Sequence, residues 1–269
     1  MNITPQILLI ICPLVFAAGF IDSIAGGGGL IALPSYLFIG LSPYYAFGTN
    51  KFSASCGTLL STIRFIRNKQ VNYKSALISV AGALIGSFLG ARLALSLDEK
   101  YLKYFLVIFL PIIAVFVVTR RKFGETDRSH LLSNIKMIFL SAASGLIIGA
   151  YDGFFGPGTG TFLILIYTSI IGFNITIASG NTKVVNLASN ISALVTFLLA
   201  GKVLIALAIP TALFNILGNW IGSGLAIKNG AKIIRPIFIV VLSLLFTSIL
   251  LDIFHVNIVT VITKLFCSL

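Results

Sequence analysis

The sequence predicts an all-α, polytopic membrane protein. Its composition is the first reason: 58% of the 269 residues are hydrophobic and only 10% are charged, giving a mean hydropathy of +1.06. Long uncharged runs are the second, since 75–91, 203–227 and 236–251 are long enough, or nearly so, to cross a hydrocarbon core of ~30 Å. The third is where the basic residues fall. The formal net charge of +12 is concentrated in short clusters between apolar runs: Arg64, Arg67, Lys69 and Lys74; Arg120, Arg121, Lys122, Arg128 and Lys136; Lys228, Lys232 and Arg235. Cytoplasmic loops under the positive-inside rule look like this. Nucleic-acid binding, which would interleave basic and aromatic residues on a polar scaffold, is excluded.

Each half of the chain reads as five helical segments. The first, about 6–23, resembles a secretory leader in its apolar run, but no Lys or Arg precedes Lys51. Without a positive n-region it is read as a retained membrane helix. Segment two, about 29–41, follows four consecutive glycines and is short for a span. Segment three, about 44–66, carries Lys51 and ends in the basic loop 64–74. Segment four, about 74–96, places Gly82, Gly86 and Gly90 every four residues, a spacing that lets helices approach closely. Segment five is about 100–119. A polar linker in 119–134, beginning TRRKFGETDRSH, leads to the second half, with segments at about 133–152, 159–172, 174–199, 203–227 and 233–252.

The halves repeat each other. Gly19, Asp22, Gly26 and Gly28 match Gly149, Asp152, Gly156 and Gly158 at an offset of 130. Lys51, Val71, Gly86, Gly90 and Lys100 match Lys183, Val203, Gly218, Gly222 and Lys232 at an offset of 132. The expected organisation is a single transmembrane domain, 1–269, made of repeat one (about 7–121) and repeat two (about 135–252). The loop after segment three is strongly basic in the first half, whereas its counterpart holds only Lys202 and the following loop, 228–235, is basic. Equivalent loops are therefore expected on opposite sides of the membrane. That predicts inverted-topology repeats with broken or re-entrant helices, a design common among secondary transporters.

The breaks are where function is expected. GFIDSIAGGGG (19–29) and GAYDGFFGPGT (149–159) each set an aspartate before a glycine-rich interruption inside apolar sequence. Non-helical backbone at membrane depth survives only when buried in protein or lining a wet cavity. The following segment opens with free amides and a positive dipole end, a natural anion site. Asp22, Asp152, Lys51 and Lys183 would each cost about 2.5–3.5 kcal/mol unpaired at the membrane centre, so they should face one another or water. Lys183 shares a helix face with Asn186 and Asn190. The blander readings are tight turns for the breaks, snorkelling for the lysines, capping or ion pairing for the aspartates, and interhelical glue for Asn215 and Asn219.

Cys12, Cys56 and Cys267 lie far apart in apolar sequence and read as packing residues, with no disulfide or metal-ligand spacing. His130 and His255 lie between apolar runs and read as solvated or interfacial. No P-loop follows the glycines, and no cofactor is implied.

The motifs AGFIDSIAGGGGLI, GTNK, YDGFFGPGTG and NTKVVNLASN resemble the TauE/SafE group of anion exporters over nearly the whole chain. The resemblance implies a multi-pass protein of the cell membrane that moves sulfite, other organosulfur anions or small organic acids. Its motif residues fall on Asp22, Gly26, Gly27, Gly28, Gly29, Asn50 and Lys51, and on Asp152, Gly156, Gly158 and Lys183. In the second motif Pro157 replaces a glycine, and Asn181-Thr182 inverts Thr49-Asn50, so the half-sites are chemically unequal. The expected substrate site comprises the glycines of both breaks, Asn50, Lys51, Thr182, Lys183 and Asn186, with Asp22 and Asp152 as proton carriers or counter-charges. The expected function is alternating-access transport of a small anion, without enzymatic activity; the expected partners are that anion, the bilayer and possible further copies of the chain. Two alternatives use the same residues: an intramembrane aspartyl protease and an anion channel.

Overall fold

The computed structural model describes residues 3–98, 101–102, 126–234 and 236–237, and these are helical with no strands. The helices are α1 (Pro5–Ala25), α2 (Gly29–Phe38), α3 (Pro43–Arg67), α4 (Tyr73–Ser96), α5 (Asn134–Phe154), α6 (Thr159–Ile166), α7 (Ile175–Leu199) and α8 (Ile205–Asn229). A π-helical turn, Tyr167–Ile171, extends α6. The segments expected at 100–119 and 233–252, and most of the linker, lie essentially outside the described residues. So do Cys267 and His255.

Local sequence accounts for the ends of these helices. Pro5 and Pro43 start α1 and α3 at the position where a missing N–H costs nothing. Side chains of Asn72, Ser133 and Asn174 accept backbone N–H bonds at the starts of α4, α5 and α7. α1 stops because Gly26 adopts φ +76°, the left-handed conformation that glycine reaches without strain. Gly158 does the same ahead of α6, at φ +78°.

Among the described residues, five helices are long and apolar enough to cross a membrane: α1, α4, α5, α7 and α8. The chain is a multi-pass α-helical membrane protein. α3 is equally long, at 25 residues, but it buries Thr49, Asn50, Lys51, Ser53, Ser55, Thr58, Ser61 and Thr62. Such a helix belongs inside the bundle, away from lipid.

Glycine contacts set the helix pairs and their directions. Gly82, Gly86 and Gly90 of α4 lie in turn against Ala142–Leu146, Leu146–Ala150 and Ala150–Phe154 of α5. A Cβ on Gly86 would come within 2.1 Å of the Leu146 carbonyl oxygen, so these helices touch backbone to backbone. Gly218 and Gly222 of α8 meet Phe16–Phe20 and Phe20–Ser23 of α1 in the same way. Chain numbers rise together in both pairs, so each pair is parallel. α3 also runs parallel to α8, with Gly48 against Lys202 and Gly57 against Asn215. α7 runs antiparallel to α3: Gly180 meets Gln70, while Phe197 meets Phe47 at the other end. α4 follows α7, with Asn72 donating to Asn181 and Ser192 donating to Leu84. α1, α3 and α8 therefore run one way, and α4, α5 and α7 the other.

Candidate functional site

The two breaks touch. A Cβ on Gly26 would fall 2.3 Å from the carbonyl carbon of Gly160, and one on Gly29 would fall 3.2 Å from Cα of Pro157. Thr161 Oγ1 donates to the Ala25 carbonyl at 3.0 Å, tying the start of α6 to the end of α1. Only residues without side chains let interrupted backbones pack this closely.

Around this contact the four ionisable residues pair across the halves. Lys51 Nζ lies 2.7 Å from Asp152 Oδ2 and donates to Asn190 Oδ1 at 2.9 Å. Lys183 Nζ lies 2.8 Å from Asp22 Oδ2 and donates also to the Asp22 backbone carbonyl. Each lysine thus bonds the aspartate of the other half. The lysines do not snorkel. Their side chains are 5% and 0% exposed, and those of their partners, Asp152 and Asp22, 3% and 15%. Lys51 lies eight residues into α3, about 12 Å along it. Lys183 is equally far into α7.

A cavity opens between the breaks, lined by Asp22, Gly26, Gly28 and Gly29 of the first half with Ala18, Ala32, Asn50, Lys51 and Ala54. From the second half come Asp152, Gly156, Thr159, Gly160, Asn186, Asn190 and Asn215. It measures about 30 Å³ to the centres of water-sized spheres. One water needs about 10–15 Å³ on that scale, so it takes about two or three.

The lining holds the carboxylates of Asp22 and Asp152, each already facing a lysine, beside several unbonded donors. Asn186 Oδ1 accepts from Asn190 Nδ2 at 3.3 Å, which leaves the Asn186 amide nitrogen unbonded among the described residues. The amides of Gly29 and Gly160, at the starts of α2 and α6, likewise bond no acceptor among the described residues. Three other break amides are already engaged: Gly26 N–H bonds the Asp22 carbonyl, Gly156 N–H the Tyr151 carbonyl, and Gly28 N–H the Asp22 carboxylate. Asp22 therefore caps its own break as well as pairing with Lys183.

Most of the sequence-predicted residues come together here. Asp22, Gly26, Gly28, Gly29, Asn50, Lys51, Asp152, Gly156 and Asn186 all border the cavity; Gly27, Gly158, Thr182 and Lys183 do not. Lys183 is sealed behind Asp22, and Thr182, one residue before it on α7, is fully buried. Gly158 serves as the left-handed start of α6. Asn190, Asn215, Thr159 and Gly160 join the site. Asn190 was signalled by its helical spacing from Lys183 and Asn186; nothing in the spacing of Asn215 marks it as cavity-facing. The two aspartates are each bonded to a lysine, unlike the proton-sharing carboxylate pair of an aspartyl protease.

The family model "Sulfite exporter TauE/SafE" matches residues 11–249. The Escherichia coli K12 protein named "Probable membrane transporter protein YfcA" is 35% identical over 93% of this chain and 92% of its own. A Haemophilus influenzae protein named "Probable membrane transporter protein" is 35% identical over 92% of this chain and 96% of its own. A Sinorhizobium relative, "Probable membrane transporter protein ORF9", is 37% identical over 89% and 91%. No solved structure matches. With its match spanning all but the ends of the chain, this protein belongs to the sulfite exporter TauE/SafE family of membrane transporters.

Proposed function

We propose that this protein is a secondary transporter of small anions, with sulfite, organosulfur anions and small organic acids as the substrate class, operating in the cell membrane by alternating access. The observation that carries the reading is the crossed pairing of Lys51 with Asp152 and Lys183 with Asp22 around a cavity between two helix breaks that presents unbonded donors. An anion entering beside Lys51 meets the Gly29 and Gly160 amides and the Asn50 and Asn186 side chains, which favour negative charge. Its charge competes with Asp152 for Lys51, so binding loosens one link between the halves. Asp22 and Asp152 act as counter-charges, or carry protons when an anion takes their lysine.

The halves, about 7–121 and 135–252, are inverted-topology repeats in this reading, joined through the linker at about 119–134. The opposite directions of α1 and α5, α3 and α7, and α4 and α8 support it. The basic residues at the α3–α4 turn, the start of α5 and the end of α8 share one face, which the positive-inside rule assigns to the cytoplasm. The cavity as it stands suits a few waters, so a substrate of several heavy atoms enters when one half rocks against the other. The test is gradient-driven flux of a labelled panel (sulfite, sulfoacetate, small carboxylates) into proteoliposomes. Saturable flux that Lys51→Ala abolishes is expected. No flux of any anion, or wild-type flux in a normally inserted Lys51→Ala protein, would overturn the proposal.

A further inference from the structure

Asn215 and Asn219 form a buried amide pair on α8, 4% and 1% exposed. Asn219 Nδ2 donates to the Asn215 backbone carbonyl at 3.1 Å and to Asn215 Oδ1 at 2.8 Å. A backbone carbonyl can only accept, so the Asn219 group facing it is the NH2. That same NH2 meets the Asn215 side chain, which must therefore present its oxygen. The Asn215 amide nitrogen is left pointing away from the pair. It has no partner among the described residues, it is not among the sealed unbonded atoms, and Asn215 borders the cavity between the breaks.

The surrounding sequence makes room for this pair. A Cβ on Gly57 would lie 1.9 Å from Asn215 Oδ1 and 2.5 Å from Asn219 Nδ2, and one on Gly19 would lie 2.6 Å from the Asn215 carbonyl oxygen. At the positions 132 earlier in the chain stand Ala83 and Ser87, and Ser189 is the counterpart of Gly57. There Ser87 Oγ donates to the Ser189 carbonyl at 2.6 Å, and Ala83 packs against Gly149 with no polar atom to spare. That contact holds α4 on α5 without amides. The α8 version leaves Asn219 Oδ1 buried and unbonded, a cost that merely holding α1 on α8 does not require.

We infer that Asn215 is a specificity-determining residue of the transport site, donating one N–H to an oxygen of the bound anion, with Asn219 as the positioning residue that fixes its orientation. Lys51 and Asn215 come from different helices, α3 and α8. The preferred substrate is therefore an oxyanion presenting separate oxygens to the two, and a monatomic anion is disfavoured. This inference rests on the proposed anion transport.

The test measures KM and Vmax in proteoliposomes for whichever of sulfite, sulfoacetate and acetate the wild type carries fastest. Asn215→Ala installs the residue of the equivalent position in the other half. It should raise KM about tenfold or more, the loss of one hydrogen bond to a charged acceptor, with Vmax within about twofold of wild type. Asn215→Asp keeps the size and the oxygen that Asn219 bonds but replaces the donor; KM should rise further than in the alanine variant. Asn219→Ser should raise KM less than either. Wild-type KM in both Asn215 variants, or a fall in Vmax at unchanged KM, would mark Asn215 as a packing residue and overturn the inference alone. A wild-type protein that carries none of the three anions would overturn the proposed function, and this inference with it.

Discussion

Removing one member of the Lys51–Asp152 pair should destabilise the protein far more than removing both. The charges are 2.7 Å apart with side chains 5% and 3% exposed, so solvent screens them little. At an effective dielectric of about 20 their attraction is on the order of 6 kcal/mol. Burying each ion costs several kcal/mol, so the intact pair contributes little net stability. Lys51→Met leaves Asp152 charged and buried with no cation, a loss of about 3–5 kcal/mol. For a domain of this size that is on the order of 10 °C in Tm. Asp152→Asn alone strands Lys51, which keeps only Asn190, and should cost a similar amount. The double variant Lys51→Met/Asp152→Asn removes both charges and should recover most of the loss, so the coupling energy should exceed either single loss, on the order of 5 kcal/mol or more. Thermal unfolding of purified protein, followed by tryptophan fluorescence of Trp220, reads all four corners of the cycle. Transport should stay abolished in the double variant, because the cation that attracts the substrate is gone. Additive losses in the double variant would refute the reasoning, as would a lone Lys51→Met protein as stable as wild type.

Two further outcomes follow from the same geometry. Exchanging the charges should be tolerated differently in the two pairs. Lys51→Asp/Asp152→Lys can be accommodated because Asn190 can turn its amide to donate, whereas Lys183→Asp/Asp22→Lys aims a carboxylate at the backbone carbonyl of residue 22 that Lys183 bonds; folded yield by size-exclusion chromatography should be clearly lower for the second swap. Gly26→Ala puts a Cβ 2.3 Å from the Gly160 backbone and should abolish folded yield, while Gly40→Ala, at a comparable φ of +89° with nothing within 4 Å, should cost only the left-handed strain of about 1–2 kcal/mol in Tm experiments.

Much of the site was legible in the sequence because its cost is local. A charged residue or a run of glycines inside apolar sequence needs a reason wherever it occurs, so Asp22, Asp152, Lys51, Lys183 and both breaks stood out without a partner in view. The glycine spacing in α4, matched in α8 at an offset of 132, likewise announced close packing, and the contacts of Gly86 and Gly218 bear this out. Helical spacing also put Asn186 and Asn190 on the face of Lys183. It could not say that Asn190 would serve Lys51, a residue 139 positions away.

Composition and periodicity by themselves determined that this chain is a multi-pass helical protein, where its helices break and which residues cannot be left alone in a membrane, since each of these depends on a residue and its near neighbours along the chain. The tertiary structure alone decided the crossed pairing of lysines and aspartates, the burial of Lys183 behind Asp22, the engagement of the Gly28 amide by Asp22, and the entry of Asn215 into the cavity. The physical reason is that a helical repeat specifies a face but not what the face meets. That depends on which helices pack together, and here the choice was made by backbone contacts between residues from 60 to about 200 positions apart.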